Sequence, residues 1–595
     1  MEHSAASTLI RESEPRTEPG DEWPEIAPPA DERPKTEIEA IPPKRLFREG
    51  HIVFLLALAC YLMVAYLADF RYQTFALDSF SRMADGFYII YSRDPHLSAV
   101  GFVWDPLSSV ADMVVLLGNH LWPALSHNNM AGSIVSATAM AGAAYQMCAA
   151  LREWGVSRAP RLLLTAFFAL NPMIAYYGGN GMSEGLFIFT LIASTRYLLR
   201  WVRDGDLRSL AYSAVALGFC YLTRNEASFA ALFGGLAVGG VSYWRCDRRG
   251  LSRLKTATSD LVIFGVPAFT AAAGWAIVSY VITGQWFAQI QSIYGSAAQE
   301  KLLSHKTVHG RIVYEFHAIE AFAPLLPLLI VVAAVVALRK RDPRVLAPLG
   351  VLGGALGFDM LLYMGNGIQD YLRYWIVALP LGVLLLGCLV AAVQSPSATT
   401  QVGAHMTTAP SRSGFRGVGV IVAVILVLLV MVPTTISTAS GMLNPEVGVE
   451  ESLQIGYIFK SHPNANDLTY PNAYPQALAL GRYFENKHLP NGDVVVDNSV
   501  GCMPMVIVTS NQPKLYVIPN DRDFQRILSD PITFHARYIL EADPARFPNT
   551  AMNILYPSLW SSGAEFTKMV HQFPSRAACP GFRLFKVLRH SNRVG

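Results

Sequence analysis

A chain of 595 residues that is 52% hydrophobic and only 15% charged, with a mean hydropathy of +0.31, has too little polar surface for a soluble globular protein. It reads as a polytopic membrane protein. The formal net charge of +3 is too small for a nucleic-acid partner, and the Lys and Arg residues sit in short clusters between apolar runs.

In chain order, residues 1–48 repeat Glu, Pro, Asp, Arg and Thr with few aromatics. They bury too little apolar surface to offset the entropy of ordering, so a disordered cytoplasmic tail is expected. The run His51 to Phe70 is 20 residues long with no small-residue cleavage pattern at its end, which predicts a retained membrane anchor. Lys44, Arg45 and Arg48 just before it predict a cytoplasmic N-terminus. Further apolar runs near 129–150, 160–178, 182–200, 207–222, 227–244, 260–283, 318–338, 345–365, 372–394 and 417–435 bring the expected spans to eleven. Alternating them puts Arg152 and Arg158, Arg200 to Arg208, Arg245 to Lys255, Arg339 to Arg344 and Arg412 to Arg416 in the cytoplasm. The segment 105–125 is apolar enough to count, but counting it would invert every later loop. It is therefore read as an amphipathic helix on the outer surface.

The outer loops are then 71–128, 179–181, 223–226, 284–317 and 366–371, with 440–595 on the same side. In that last region, short β-rich runs at 493–498, 505–510, 514–519, 536–542 and 582–589 predict a small extracytoplasmic α/β domain. The expected plan is a tail over 1–48, an all-α membrane domain over 49–439 and an α/β domain over 440–595, in the plasma (inner) membrane. Cys502 and Cys579 both fall in the last region, where a disulfide can persist. The other five cysteines lie in or beside apolar runs and read as small core residues. No Walker loop, GxGxxG, HExxH or GxSxG stands in the context it needs.

Six aspartates follow the first span between Asp69 and His127, in a stretch too polar to cross a bilayer. Asp78 is the first candidate for a base there and Asp85 the reserve. Ionisable residues recur at the same boundary: Glu184, Arg224 and Glu226 in LTRNEA, Lys301, Lys306 and Arg311, then Asp370 and Arg373 in NGIQDYLRYW. Charges at the hydrocarbon edge are costly unless paired or hydrated, so their recurrence on one side suggests a single polar cavity. The plainer alternatives are solvated loop ends or local ion pairs, Arg373 with Asp370 and Arg224 with Glu226. His305 and His309 have i, i+4 spacing, but Gly310 and the loop setting favour a solvated role. No cofactor is firmly expected, and dependence on a divalent cation stays open.

An outer-loop Asp78, then Gly86, then an apolar surface helix introduced by Pro106-Leu107 resembles the GT-C superfamily of polytopic glycosyltransferases. The segments ALNPMIAYYGGNGMSEGL, LTRNEA and YLRYWIVALPL extend the likeness over residues 51–394. The layout looks most like the protein O-mannosyltransferases and the lipid A aminoarabinose transferases. That resemblance implies a polyprenyl-phosphate sugar as donor and Asp78 as the counterpart of the catalytic carboxylate. The acceptor is expected to be extracytoplasmic: a glycan, lipid or protein. The loop departs from the pattern in lacking an adjacent Asp-Glu pair; Asp85 is seven positions on.

Transfer from a lipid-linked sugar needs one carboxylate to deprotonate the acceptor and cations to neutralise the departing phosphate. Asp78 in a partly desolvated vestibule is expected to have a raised proton affinity. Arg373 and Arg224 are the first candidates for the phosphate, with Lys301, Lys306 and Arg311 behind them. Glu184, Glu226, Asp370 and Tyr374 would line the cavity. Two other classes remain: a transporter, which predicts mid-span charges and two related halves, and a non-catalytic membrane scaffold working through 440–595.

Overall fold

The computed structural model describes residues 43–246, 250–295, 306–394, 413–464, 467–468, 471–575 and 579–588. The tail expected over 1–48 lies outside these as far as residue 42, while Pro43–Arg48 opens the first helix. The helical body comprises α1 (Pro43–Tyr66), α2 (Leu77–Tyr91), α3 (Pro106–Leu116), α4 (Met130–Glu153), α5 (Arg158–Ala169), α6 (Pro172–Gly179), α7 (Glu184–Asp204) and α8 (Leu207–Tyr221). It continues through α9 (Ala227–Arg245), α10 (Leu251–Thr283), α11 (Val308–Phe322), α12 (Leu326–Lys340), α13 (Leu346–Met364), α14 (Ala378–Gln394) and α15 (Ser413–Leu443).

Among the described residues, eight helices are long and apolar enough to cross a membrane, or ten if each of two bent pairs is one span. The expected eleven adds α8, which is too short for this count. The chain is a multi-pass membrane protein in which α8, read as a span from its apolar run, has only 15 residues. At 1.5 Å per residue it reaches roughly 22 Å, yet it leads from the Asp204 end of α7 back to Arg224, which pairs with Glu184 at the start of α7, so it returns across the helical body. The bent pairs have local causes. α5 and α6 meet at 58° around Asn171-Pro172, where the Asn171 side chain accepts from the Met173 N–H and caps α6. α11 and α12 meet at 68° next to Pro324, which lacks an N–H and pushes its predecessor out of helical geometry.

Burial sorts the helices into layers. In the span Leu372–Gln394, 83% of the apolar stretch is buried, and in α7 78%, against 22% in α10. α14 and α7 are therefore central, while α10 turns most of its apolar surface outward to lipid.

α3 carries its polarity inward. Ser108, Ser109 and Asp112 are buried, while Val114, Leu117, Leu121 and Trp122, on α3 and just past it, are exposed, as suits a short helix lying at an apolar boundary. α2 crosses it closely, and a Cβ on Gly86 would come 2.5 Å from the Ser109 carbonyl oxygen, so glycine is required there.

After α16 (Val449–Ile455) and α17 (Ala473–Glu485), the C-terminal region forms a five-stranded sheet of order β2-β1-β3-β5-β4. β1 (Val494–Val496) is parallel to β2 (Tyr516–Val517) and to β3 (Tyr538–Ala542); β5 (Phe582–Val587) runs antiparallel to β3 and to β4 (Thr567–Phe573). The run 505–510, expected as a strand, is instead the helix α18 (Met503–Thr509), buried at every position. A short apolar run buried all round has no periodicity to separate helix from strand, and Pro504 in its first turn favours the helix. β4 was not foreseen because TKMVHQF is a polar, largely exposed edge strand.

One apolar core joins the sheet to the first loop. Phe80, Met83 and Phe87 of α2 pack with Phe484, Met503, Val506 and Leu584, so α2 is held between the helical body and the sheet. Cys502 and Cys579 are joined in a disulfide that brings α18 to the approach of β5 across 77 residues. Closing a loop of that length is worth about 4 kcal/mol. The Cys502→Ser/Cys579→Ser variant is expected to unfold at a clearly lower temperature, and the parent in reducing agent to follow it. Identical melting with and without the bond would contradict this.

Candidate active site

Three carboxylates enter the site from the first turns of three helices: Asp78 on α2, Glu184 on α7 and Glu450 on α16. The partial positive charge of a helix N-terminus favours each of them. Arg373, on the 3-10 turn Leu372–Trp375 leading into α14, reaches all three. It donates to Asp78 at 2.7 Å, lies 3.1 Å from Glu450 and 3.8 Å from Glu184. Glu184 in turn pairs with Arg224 at 2.7 Å, and Arg224 donates to Glu226 at 2.6 Å. Tyr374 lies under both guanidinium groups, 5.4 Å from Arg224 and 5.6 Å from Arg373. Arg373, Arg224, Glu184, Glu226 and Tyr374 thus meet Asp78 in one network.

Of the acids in this network, Asp78 is the most open. Asp78 is 32% exposed, whereas Arg373 is 4%, Glu184 0% and Glu450 8% exposed. Burial pushes the Asp78 carboxyl up, but Arg373, with Arg82 and Arg224 behind it, outweighs this and holds it below its ordinary value. The expected rise in proton affinity is corrected accordingly: it left out the opposing charges, which sequence alone does not place. Glu450 is the group pushed up, to about 8, by burial, with Arg373 pulling the other way. Gln454 donates to Glu450 at 3.0 Å, and Tyr177 donates to neighbouring Glu451 at 2.6 Å.

Sequence reasoning missed Glu450 and Arg82. Arg82 sits one helical turn after Asp78 and is 6% exposed. Its guanidinium lies 4.0 Å over the Trp104 ring and donates to the Met182 sulfur at 3.6 Å. Among the described residues it has no carboxylate within ion-pairing distance. The i, i+4 spacing from Asp78, which puts both on one helix face, was the available signal.

Other candidates lie apart from this network. Asp85 is buried two turns along α2, where Asn520 donates to it at 3.4 Å, and it does not contact Arg373. Asp370 pairs with Lys306 at 2.7 Å and accepts from Tyr363 at 2.6 Å, not from Arg373. Arg311 donates to Asn366 at 3.3 Å. These residues line a separate recess of about 160 Å³. Lys301 and His305 fall outside the described residues. Among the described residues no group of three or more His, Cys, Asp or Glu is arranged to hold a metal.

Asp105, at the N-cap of α3, is buried with one carboxylate oxygen unpartnered. Burial, then Glu226, pushes it up to about 7. The folded chain therefore keeps a proton that the unfolded chain has already released between about pH 4 and 7, so stability falls as pH rises through that window. Asp105→Asn removes the slope. Its melting temperature relative to the parent is expected to rise from pH 5 to pH 8, and a pH-independent difference would contradict the assignment.

No family model and no curated protein matches this chain. It is similar to a solved structure of the oligosaccharyltransferase AglB from Archaeoglobus fulgidus in complex with an inhibitory peptide and a dolichol-phosphate. That likeness has 11% identity and a TM-score of 0.41, over 90% of this chain and 74% of that one. It is also similar to a structure of ArnT from Cupriavidus metallidurans bound to undecaprenyl phosphate, at 12% identity and a TM-score of 0.44, over 90% and 97%. Likenesses this loose do not bear on substrate or chemistry, which rest on the site itself.

Proposed function

We propose that the chain is a glycosyltransferase of the GT-C type, moving a sugar from a polyprenyl-phosphate carrier to an extracytoplasmic acceptor. The observation that carries this reading is Asp78, an open carboxylate on top of a buried network that holds two arginines, with a third, Arg82, beside it. In the step we infer, an acceptor hydroxyl attacks the anomeric carbon as the carbon–oxygen bond to phosphate breaks. Asp78 takes the hydroxyl proton and the arginines take up the charge of the departing polyprenyl phosphate. Attack opposite the leaving group inverts the anomeric carbon.

The ion pair with Arg373 sets a sequence for this. While Arg373 is bound to Asp78, the carboxylate is a weak base. A donor phosphate that draws the Arg373 charge to itself raises the proton affinity of Asp78, so the base is strengthened once donor is present. Arg82 is the arginine best placed to meet the phosphate first, since no carboxylate competes for it. Arg82→Gln is expected to weaken donor binding about 10- to 100-fold, from the 1.5–3 kcal/mol typical of a hydrogen bond to a charged group. A transport role fits less well, because Asp78, Glu184 and Glu450 gather at helix starts at one end of the body instead of along a path through the spans.

Binding of a panel of polyprenyl-phosphate sugars, read by hydrogen exchange, tests the reading. A bound donor is expected to protect α2 and residues 366–376. No binding across the panel, or protection confined to the other end of the helices, would overturn it.

A further inference from the structure

A second charged cavity lies at the other end of the helical body. α7 begins at Glu184 in the candidate active site and ends at Asp204 beside this cavity. At 1.5 Å per residue the two are roughly 30 Å apart. The cavity has a volume of about 480 Å³ and is lined by five cations, Arg203, Arg245, Lys340, Arg341 and Arg344, with the single carboxylate Asp342. Val202, Val336 and Ala337 form part of its wall.

Capping of helix ends explains why cations stand here, but not their excess. Arg203 donates to the Glu153 carbonyl at 3.1 Å, Arg245 to that of Trp201 at 3.1 Å and Lys340 to that of Ala392 at 3.0 Å. The bonds to Glu153 and Ala392 satisfy carbonyls left over at helix C-termini, that to Trp201 joins the Gly205 N–H on the same carbonyl, and each fixes a charged head at the cavity. Among the described residues two carboxylates pair directly with these five cations: Asp204 grips Arg203, and Asp342 grips Arg344. Arg245, Lys340 and Arg341 keep their charge and spare donors, and among the described residues the Arg341 side chain has no acceptor.

We propose that this cavity binds the phosphate of an anionic phospholipid. A phosphate offers several acceptor oxygens to convergent guanidinium and ammonium donors. The lipid form is favoured over a free anion by what surrounds the cavity. Its wall is partly apolar, and on the adjoining helices Trp244, Val335 and Leu338 are 71%, 41% and 74% exposed, a surface along which acyl chains can run.

The full chain in nanodiscs of phosphatidylcholine with phosphatidylglycerol, extracted and weighed by native mass spectrometry, tests this. The parent is expected to retain phosphatidylglycerol in preference to phosphatidylcholine. Arg245→Gln/Lys340→Gln/Arg341→Gln is expected to lose that preference by about fivefold per cation, the equivalent of ~1 kcal/mol each near a membrane surface. Arg339→Gln, on the same helix end but outside the cavity, is expected to change nothing. Arg341→Gln alone, which removes no capping bond, gives the single-step loss if the triple variant does not fold. Equal retention by parent and variants, or displacement of the lipid by inorganic phosphate at matched concentration, overturns the proposal.

Discussion

Asp78→Asn is expected to lower sugar transfer by a factor of about 10²–10⁴, the usual contribution of a positioned general base, without weakening donor binding. The two effects separate because of the pair with Arg373 at 2.7 Å. Neutralising Asp78 removes the proton acceptor but frees the guanidinium, so the donor phosphate meets less competition. Stability changes little, since Arg373 keeps Glu450 at 3.1 Å and Glu184 at 3.8 Å. Initial rates, donor titration and thermal unfolding together distinguish this from a structural role, which would lower stability and binding along with rate. Full transfer by Asp78→Asn would remove the assignment.

Arg373→Gln is expected to act on folding as strongly as on chemistry. It strips the counter-charge from buried Glu450 and leaves Glu184 to Arg224 alone, and breaking a buried ion pair from one side costs about 3–5 kcal/mol. The variant should melt far below the parent or fail to accumulate. Arg373→Lys keeps the charge but loses the fork that reaches three acids, so an intermediate loss is expected. Pairing Arg373→Gln with Glu450→Gln should recover part of the stability, because the second change removes a carboxylate left stranded by the first. Strict additivity of the two would contradict the network as described.

Much of this site was legible before any coordinates. Glu184, Arg224, Glu226 and Arg373 stand in short polar stretches between long apolar runs, where a charge is costly unless it has a purpose. Membership of one network was not legible, because it depends on Arg373 and Glu184 meeting across 189 residues (373 − 184). Glu450 was hidden for a related reason. It follows the last apolar run and reads as the start of a separate region, although α16 turns it back onto Arg373. Arg82 carries no signal in the sequence beyond its i, i+4 spacing from Asp78.

The fold was legible to a similar degree. Long apolar runs located the spans, and the run 207–222 already had the length of the short α8, but run length alone did not show the two bends. The prolines at the bends were visible in the sequence. Their consequence depends on whether neighbouring helices re-satisfy the freed backbone groups, which a linear pattern does not contain. The stretch 505–510 failed differently: with apolar side chains on every side, helix and strand look alike until packing chooses between them.

The most direct measurement follows a labelled sugar from a polyprenyl-phosphate donor in membranes that supply native acceptors, with purified parent and Asp78→Asn side by side. The parent is predicted to move label out of the donor into acceptor material and release polyprenyl phosphate in equal amount, while Asp78→Asn binds the donor and leaves it intact. Equal turnover by the two proteins, or no turnover by either across the donor panel, would contradict the account.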